Sequence, residues 1–189
     1  MSYHEVMIES SFAPALLLSM PQMHDPNFAQ TVVLLCQHNA EGAFGLVINR
    51  PITTTARVVS HEEPEDVLEH QLEVWVGGPV EPERSWILLN DDHADEDAVR
   101  ICDGVYLSTS ASVLRQIIDH SADSRTRLVA GYAGWGPGQL DAEIAASAWL
   151  SMDVALDIVF ETPADEMWNA AIRRLGATPG GLQTGQGVH

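Results

Sequence analysis

Short apolar runs separated by turn residues dominate the first part of the chain and predict β-strands. The apolar stretch Ala15–Ser19 predicts a short strand, and the continuously apolar Thr31–Leu35 is typical of a strand that is buried on both faces. Between them, Asp25–Phe28 has the composition of a turn. Asn39–Gly42 also predicts a turn, and the apolar run Ala43–Ile48 that follows predicts an antiparallel partner for the second strand. Such a hairpin argues against a purely parallel, doubly wound sheet.

The rest of the chain mixes short apolar runs with amphipathic stretches. Further strands are predicted at 74–76, 86–89, 105–107 and 158–160. A 3.6-residue apolar period predicts a helix capped by Ser108 or Ser110, and a second helix is predicted from a capping Thr162 to a stop at Gly176. Residues 52–73 are polar and ambiguous.

The segment Leu128–Ile144 combines strand, turn and helix signals most closely. An apolar run passes into a stretch with four glycines, Gly131, Gly134, Gly136 and Gly138. Pro137 fits the first helical position, and a helical face follows with Leu140, Ile144 and Ala148. The pattern predicts a strand, a tight glycine turn and a helix. Two uses of the turn remain open: close packing of the backbone, or binding of an anion by helix-start N–H groups near Gly136–Gln139.

Motifs for nucleotide binding and for common catalytic mechanisms are absent. The dinucleotide pattern G-x-G-x-x-G requires glycine at position 139 or 141, where Gln139 and Asp141 stand. All nine basic residues are arginines, which excludes a P-loop lysine, a pyridoxal Schiff base and a lysine nucleophile. No G-x-S-x-G is present, and His61-Glu62-Glu63 is not followed by a histidine at 65. We therefore predict no catalytic residue and no cofactor.

Length and composition predict one cytoplasmic domain. The 189 residues form an N-terminal arm at 1–13, one domain at 14–177 and a Gly/Pro/Gln-rich tail at 178–189 that is expected to be disordered. No apolar run reaches the roughly 20 residues that span a bilayer, so no membrane partner is predicted. The first residues lack the basic region of a secretory signal. Cys36 and Cys102 are expected to be reduced thiols.

The net charge of −18 excludes direct binding to nucleic acid, because such an acidic surface repels phosphate. Fourteen of the 27 acidic residues lie between His61 and Asp103. This region is either a solvated face or a docking surface for a basic partner. Asp91–Asp97 lacks the glycine and the spacing of an EF-hand, so no metal site is predicted.

Two sets of polar groups beside strands have alternative roles. Arg50 directly follows an apolar strand, so its guanidinium is available for a structural ion pair or for a carboxylate or phosphate ligand. Cys36 and His38 lie two residues apart and are expected to share one face of their strand. Packing and turn bonding are favoured for this pair over a nucleophilic Cys–His pair, because the apolar context does not lower a thiol pKa.

Four blocks of sequence occur in a specific order. They are Met20-Pro-Gln-Met-His-Asp-Pro-Asn-Phe28 with Thr31 to His38, Gly42-Ala-Phe-Gly-Leu-Val-Ile-Asn-Arg-Pro51, Gly77-Gly-Pro-Val80, and Gly131-Tyr-Ala-Gly-Trp-Gly-Pro-Gly-Gln-Leu140. Together they closely resemble the AlgH/YqgE-like family of bacterial proteins, from about residue 14 to residue 175. The chain departs from the family at Asn90, where a histidine is common, and at Ser147, where an asparagine often precedes the tryptophan.

The resemblance implies a cytoplasmic α+β protein with one bent mixed or antiparallel sheet, partly barrel-like and flanked by helices. It brings no catalytic activity, and one branch of the family carries the label of regulator of alginate synthesis. Two classes of function remain open. The first is a non-enzymatic regulatory or interaction protein with an unknown protein partner and no direct DNA binding.

The second class is a small enzyme or a binder of a small anionic ligand. Its site would lie around the Gly131–Gly138 loop, with these candidate binding residues: Asn27, His38, Asn49, Arg50, Gly78, Tyr132, Gly134 and Gly136. The two classes differ in whether the first four of these side chains converge in one water-accessible pocket.

Overall fold

The computed structural model describes residues 11–59, 67–90, 96–120 and 125–183. The strands in these ranges are β1 Ala15–Ser19, β2 Val32–Asn39, β3 Gly42–Val47, β4 Pro51–Val59, β5 Val67–Val76, β6 Val80–Leu89, β7 Val99–Cys102, β8 Val105–Ser108, β9 Thr126–Trp135 and β10 Trp149–Met152. The helices are α1 Ala111–His120, α2 Gln139–Ala145, α3 Ala164–Arg174 and α4 Pro179–Gln183, with a π-helical turn at Asp157–Glu161.

Strand β9 is the central strand of the sheet. Its first half pairs in parallel with β5 and antiparallel with β6, and its second half pairs antiparallel with β3. The strand order is β10-β1-β2-β3-β9-β6-β8-β7, and β4 is attached through β5. The protein is a single α+β domain whose mixed, mainly antiparallel sheet curls into a half-barrel, as the sequence predicted.

The main hydrophobic core fills the inside of the half-barrel. Residues from strands near both ends of the sheet, such as Leu16 on β1 and Leu107 on β8, belong to one buried cluster. The π-helical turn and α3 contribute Phe160, Trp168 and Ile172 to this cluster. Helices therefore cover the inner face, and the curl brings sequence-distant strands onto the same core.

Two further clusters pack on the outer face of the sheet. The first lies over β1–β3 and includes Leu17, Val33 and Leu140 of α2. The second lies under α1, where Val113 and Ile117 pack on β5, β6 and β9. Alternate residues of β2 therefore enter opposite cores, which confirms the prediction of a strand that is buried on both faces.

The run Ile158–Phe160 forms a π-helical turn, and the prediction of a strand there was wrong. The amide of Thr162 donates to the carbonyl of Asp157, five residues earlier, at 2.8 Å. All three apolar side chains are buried in the main core. A short apolar run fits a buried strand and a buried helical turn equally well, so its tertiary neighbours decide between them.

Two helix starts differ from their predictions. Strand β9 continues through Gly131 and Gly134, and Gly138 is the N-cap of α2, so Pro137 precedes the helix. In α3 the N-cap is Pro163 without a side-chain cap, because the Thr162 hydroxyl donates to Asp157 O instead. Both predicted helix starts lie within one or two residues of the observed ones.

The polar stretch 52–73, which was ambiguous in sequence, contributes to the long antiparallel hairpin β4–β5. Its register runs from Pro51 opposite Trp75 to Val59 opposite Val67. Leu72 and Val74 are buried against the core under α1, whereas the side chains of residues 51–55 are exposed. The buried side chains described in this hairpin, Leu72, Val74 and Trp75, lie in the part of β5 next to β9.

Both ends of the described chain contact the domain. In the predicted arm, the Ser11 hydroxyl donates to His38 O at 3.0 Å, and residues 1–10 lie outside the described residues. In the predicted tail, α4 places the Leu182 carbonyl 2.9 Å from Gln22 Nε2, which donates to it. The Leu182 side chain packs against the main core, so order extends past residue 177; residues 184–189 are not described.

Candidate functional site

Asn49 and Arg50 clamp the loop that precedes β2. Arg50 Nη1 donates to the carbonyls of Pro26 and Asn27, both at 2.8 Å, and Nη2 donates to Ala29 O at 2.9 Å. Asn49 receives the amide of Val32 at 3.0 Å and donates to Gln30 O at 2.9 Å. The dipeptide Asn49-Arg50 therefore stabilises a whole turn by binding its backbone.

The guanidinium of Arg50 is engaged by the protein itself. Partial burial lowers its pKa, and the neighbouring charge of Asp25 opposes that shift. Asp25 also receives the Asn27 amide at 2.9 Å, which confirms the predicted turn at 25–28. Both terminal nitrogens of Arg50 already donate to carbonyls, so the structural role that the sequence left open is the one that the geometry favours.

His38 belongs to a different hydrogen-bond network. Its Nδ1 accepts the amide of Phe12 at 3.1 Å, so the proton of the neutral ring resides on Nε2, which donates to Asp141 Oδ2 at 3.0 Å. This hydrogen bond lowers the pKa of Asp141. Asn27, Asn49 and Arg50 thus meet at one loop, whereas His38 joins the N-terminal arm to α2. These four side chains therefore do not converge in one pocket, which is the arrangement that the enzyme or ligand-binding alternative requires.

Cys36 and His38 do not share one environment, contrary to the prediction. A β-bulge between Leu35 and Gln37 breaks the alternation of β2. Cys36 packs against the main core, whereas His38 stacks on Phe12 beside the outer cluster, with ring centroids 5.2 Å apart. Burial, and to a lesser extent Cys102, raises the pKa of the Cys36 thiol. Such a thiol is a poor nucleophile at neutral pH.

The candidate glycines permit close contacts between strands. A Cβ on Gly78, where φ is +150°, would lie 2.3 Å from the carbonyl oxygen of Tyr132. In the glycine turn, the Gly136 amide donates to Gln139 Oε1 at 3.0 Å and is not open to a ligand. Gly134 lies on β9 beside the ring of Tyr132. The geometry here favours the packing role over the anion-binding role.

Glu143 was not singled out from the sequence, although it organises the residues around the glycine turn. Its Oε2 accepts the indole N–H groups of Trp135 and Trp149 at 3.0 and 2.8 Å, and its Oε1 accepts a hydrogen bond from the side-chain amide Nε2 of Gln139 at 2.9 Å. Phe28 completes an aromatic cluster with both tryptophans. The helical spacing from Gln139 to Glu143 was the available signal, but its meaning depends on strands that are distant in sequence.

Arg127 is a buried cation that the sequence also did not reveal. Its side chain lies over the ring of Trp75 at 4.1 Å, and its Nη1 donates to Ile48 O at 3.4 Å. Burial lowers the Arg127 pKa to about 10, against the opposing charge of Glu73. The contact supports the end of β3 from the core side, directly before the Asn49-Arg50 clamp.

A largely apolar pocket opens at the mouth of the half-barrel, between β2–β3 and β6–β8. We call it the mouth pocket. Its volume is about 460 Å³, and its lining residues are Cys36, Gln37, Phe44, Trp86, Asp97, Val99, Arg100, Ile101, Leu107 and Thr109. Pockets of this size at barrel mouths are common sites for ligands or side chains of a partner. A smaller cavity of about 230 Å³ lies beside the β2–β3 turn.

Trp86 is the aromatic centre of the pocket wall. Its ring lies 4.9 Å from Phe44 and 6.3 Å from Tyr132, and the guanidinium of Arg84 lies over it at 4.6 Å. Burial and the neighbouring Glu81 carboxylate raise the pKa of Tyr132. The indole Nε1 of Trp86 is buried without a hydrogen-bond acceptor among the described residues.

None of the candidates Asn27, His38, Asn49 and Arg50 lines either cavity of the described residues. No group of three or more metal-ligating side chains occurs in the part of the chain that the structure describes, which omits Asp91–Asp95. Among the same residues, no helix is long and apolar enough to cross a lipid bilayer. The mouth pocket is the larger of these two cavities, and the candidate residue Tyr132 contacts Phe44 and Trp86 in its wall.

These features define a half-barrel α+β protein whose open site is an apolar pocket. The family model described as DUF179, AlgH-like, matches residues 16–180, and the chain belongs to this family. A UPF0301 protein of Thioalkalivibrio sulfidiphilus is 39% identical over 169 residues, covering 88% of this chain and 91% of its own. A UPF0301 protein of Myxococcus xanthus is 36% identical over 181 residues, with coverages of 95% and 99%.

Two solved structures share the fold. The solution structure of the AlgH protein from Pseudomonas aeruginosa is similar with a TM-score of 0.71 and 34% identity, covering 96% of this chain and 97% of that one. A crystal structure of a Corynebacterium diphtheriae protein has a TM-score of 0.64 at 20% identity, covering 88% and 87%. The second comparison supports the fold alone.

Proposed function

We propose that this protein is a non-enzymatic regulatory or interaction protein of the bacterial cytoplasm, which acts through a protein partner at the mouth pocket. One observation carries the proposal. The polar side chains that a small active site would need, above all Arg50 and His38, are bound to the protein's own backbone and to Asp141. The mouth pocket, in contrast, is lined largely by apolar side chains.

Charge supports the same proposal. With a net charge of −18 the protein repels nucleic acid, so a regulatory effect is expected to pass through a protein or a small ligand and not through direct DNA contact. A small anionic ligand is the weaker alternative, because the Arg50 guanidinium and the Gly136 amide are already hydrogen-bonded. A cytoplasmic location agrees with the free thiols of Cys36 and Cys102.

Site-specific photo-crosslinking in living bacteria tests the proposal. A photoreactive phenylalanine analogue replaces Val99, which is 62% exposed at the pocket, or, as a matched control, Ile52, which is 50% exposed on β4. We expect a discrete protein adduct from position 99 and none from position 52. Equal labelling at both positions, or adducts only with nucleic acid or small molecules, would contradict the proposal.

A further inference from the structure

Strand β7 is an edge strand that also forms one wall of the mouth pocket. In the sheet order β7 is terminal, and among the described residues it pairs only with β8. Val99, Arg100 and Ile101 of this strand line the pocket. An edge strand that has no second partner strand among the described residues, beside a largely apolar pocket, has the two components that strand addition of a peptide requires.

The edge lacks some of the usual protection against pairing. Natural edge strands are commonly blunted by lysine, proline or inward-pointing charges, whereas β7 begins with the β-branched Val99, which is 62% exposed. Arg100 is its one charged residue and is paired with Asp103 at the end of the strand. Strand β4 is also an edge, but neither described cavity is lined by its residues.

Charge distinguishes the possible occupants of this edge. The acidic residues Glu96, Asp97 and Asp103 lie within three residues of the ends of β7, and Asp97 also lines the pocket. A second copy of the chain would bring the same excess of negative charge to the interface. A basic segment would instead be attracted, and its large apolar side chain would enter a pocket lined by Phe44, Trp86 and Leu107.

We propose that β7 and the mouth pocket bind an extended basic peptide by strand addition, with one aromatic or long aliphatic side chain inserted between Phe44, Trp86 and Ile101. This proposal rests on the proposed function and names the class of its partner. Backbone hydrogen bonds to β7 supply the register, the pocket supplies selectivity for the inserted side chain, and the acidic surface selects the flanking basic residues.

A synthetic peptide tests the proposal directly. The probe is the acetylated, amidated octapeptide Thr-Arg-Val-Lys-Phe-Arg-Thr-Lys, titrated into the 15N-labelled full chain at low salt. We expect the largest amide shifts at residues 99–102. Replacing the phenylalanine of the peptide by glycine is expected to weaken binding tenfold or more, since a buried aromatic side chain contributes about that much.

Matched variants separate strand addition from electrostatic attraction alone. Val99→Asp is expected to abolish the shifts, whereas Ile52→Asp adds the same charge to another exposed strand position and is expected to retain them. A peptide with N-methyl groups on alternate backbone nitrogens keeps its charge and is expected not to bind in one of the two methylation registers. If only the peptide methylated in that register loses affinity, the peptide pairs with the backbone edge of β7.

Specific outcomes overturn the proposal. If peptide affinity is unchanged by Val99→Asp, by replacement of the peptide's phenylalanine and by methylation in either register, the interaction is attraction between surface charges alone. Self-association of the wild type through residues 99–102 would make a second copy the occupant. If the peptide fails while position 99 still crosslinks to a protein in cells, strand addition is wrong and the proposed function survives. If both experiments fail, the proposed function fails as well.

Discussion

The carboxylate of Glu143 accepts a hydrogen bond from the indole N–H of Trp149 at 2.8 Å, which joins α2 to the first residue of β10. The same oxygen receives Trp135 at the end of β9. One short helix is thereby fastened to two strands of the sheet. A carboxylate that holds two buried indoles is a structural element, and its contribution to stability can be measured.

Trp149→Phe is expected to lower the free energy of unfolding by about 1.5–3 kcal/mol, the contribution of a hydrogen bond to a charged group. Trp86→Phe is the matched control, because it makes the same change in side-chain size but removes an N–H without an acceptor. We expect Trp86→Phe to cost clearly less in urea denaturation. Equal losses would show that packing of the indole rings, and not the bond to Glu143, stabilises this region.

Arg50→Ala is expected to destabilise the protein because three backbone carbonyls lose their donors. The expected loss is about 1.5–3 kcal/mol. Arg50→Lys keeps the charge but cannot span the same carbonyls, so we expect it to recover only a small part of the loss. Arg84→Ala on the exposed surface serves as the control for removal of a positive charge.

Chemical denaturation measures these three variants, and a phosphate titration of the wild type accompanies it. A normal unfolding midpoint for Arg50→Ala, together with phosphate binding that this variant loses, would make Arg50 a ligand-binding residue and not a clamp.

Gly131→Ala is expected to destabilise the protein, whereas Gly136→Ala is expected to leave its stability unchanged. Gly131 has φ +73°, and a Cβ there would lie 2.5 Å from the Gly78 carbonyl oxygen. The left-handed conformation alone costs an alanine about 1–2 kcal/mol, and the overlap adds to this. At Gly136 the nearest atom to a Cβ is 3.9 Å away, so that variant is expected to be neutral. Thermal melts of the two variants decide the question, and a large loss at Gly136 would contradict it.

The ion pair between Asp157 and Arg174 predicts a dependence of stability on pH. Arg174 donates two hydrogen bonds to Asp157 and lowers the pKa of this carboxylate below its ordinary value of 3.8. The folded state therefore holds the proton more weakly than the unfolded state. The stabilisation is complete above the unfolded pKa and is lost as the pH falls through the lower, folded value.

Asp157→Asn is accordingly expected to melt at a lower temperature than the wild type at pH 7. The difference is expected to shrink below pH 3.8 as the wild-type carboxylate becomes protonated. Asp153→Asn, at an exposed position nearby, is the control and is expected to change the melting temperature little at either pH. A difference that persists at pH 2 would assign the effect to packing.

Much of the fold could be predicted from local patterns. The apolar runs of β1, β2 and β3 identified these strands, and the continuous run of β2 also indicated burial on both faces, where alternate residues enter different cores. The apolar stripes of α1 and α3 were equally clear. Helical and extended periods are properties of a few consecutive residues, so they can be read before any partner is known.

The sequence alone also determined which motifs are absent and which net charge the protein carries. The absence of lysine and the charge of −18 follow from the sequence alone. The departure at Ser147 has a conformational meaning: this residue has φ +58°, a region that asparagine adopts more readily than serine.

Only the tertiary structure decided the role of the candidate site residues. Arg50 follows its strand as predicted, but whether its guanidinium faces solvent or a loop depends on where residues 26–29 lie. The ring of His38 likewise forms hydrogen bonds with both the backbone of Phe12 and the carboxylate of Asp141. Neither partner is close in sequence, so no local pattern could distinguish a clamp from a ligand site.

The mouth pocket is the clearest case of a feature that sequence reasoning could not find. Its walls come from β2, β3, β6, β7 and β8, which the curl of the sheet brings around one opening. The curl results from the accumulated twist of many paired strands and from the bulges in β2 and β6. Local sequence determines which residues are apolar, but long-range pairing determines which of them remain open to a partner.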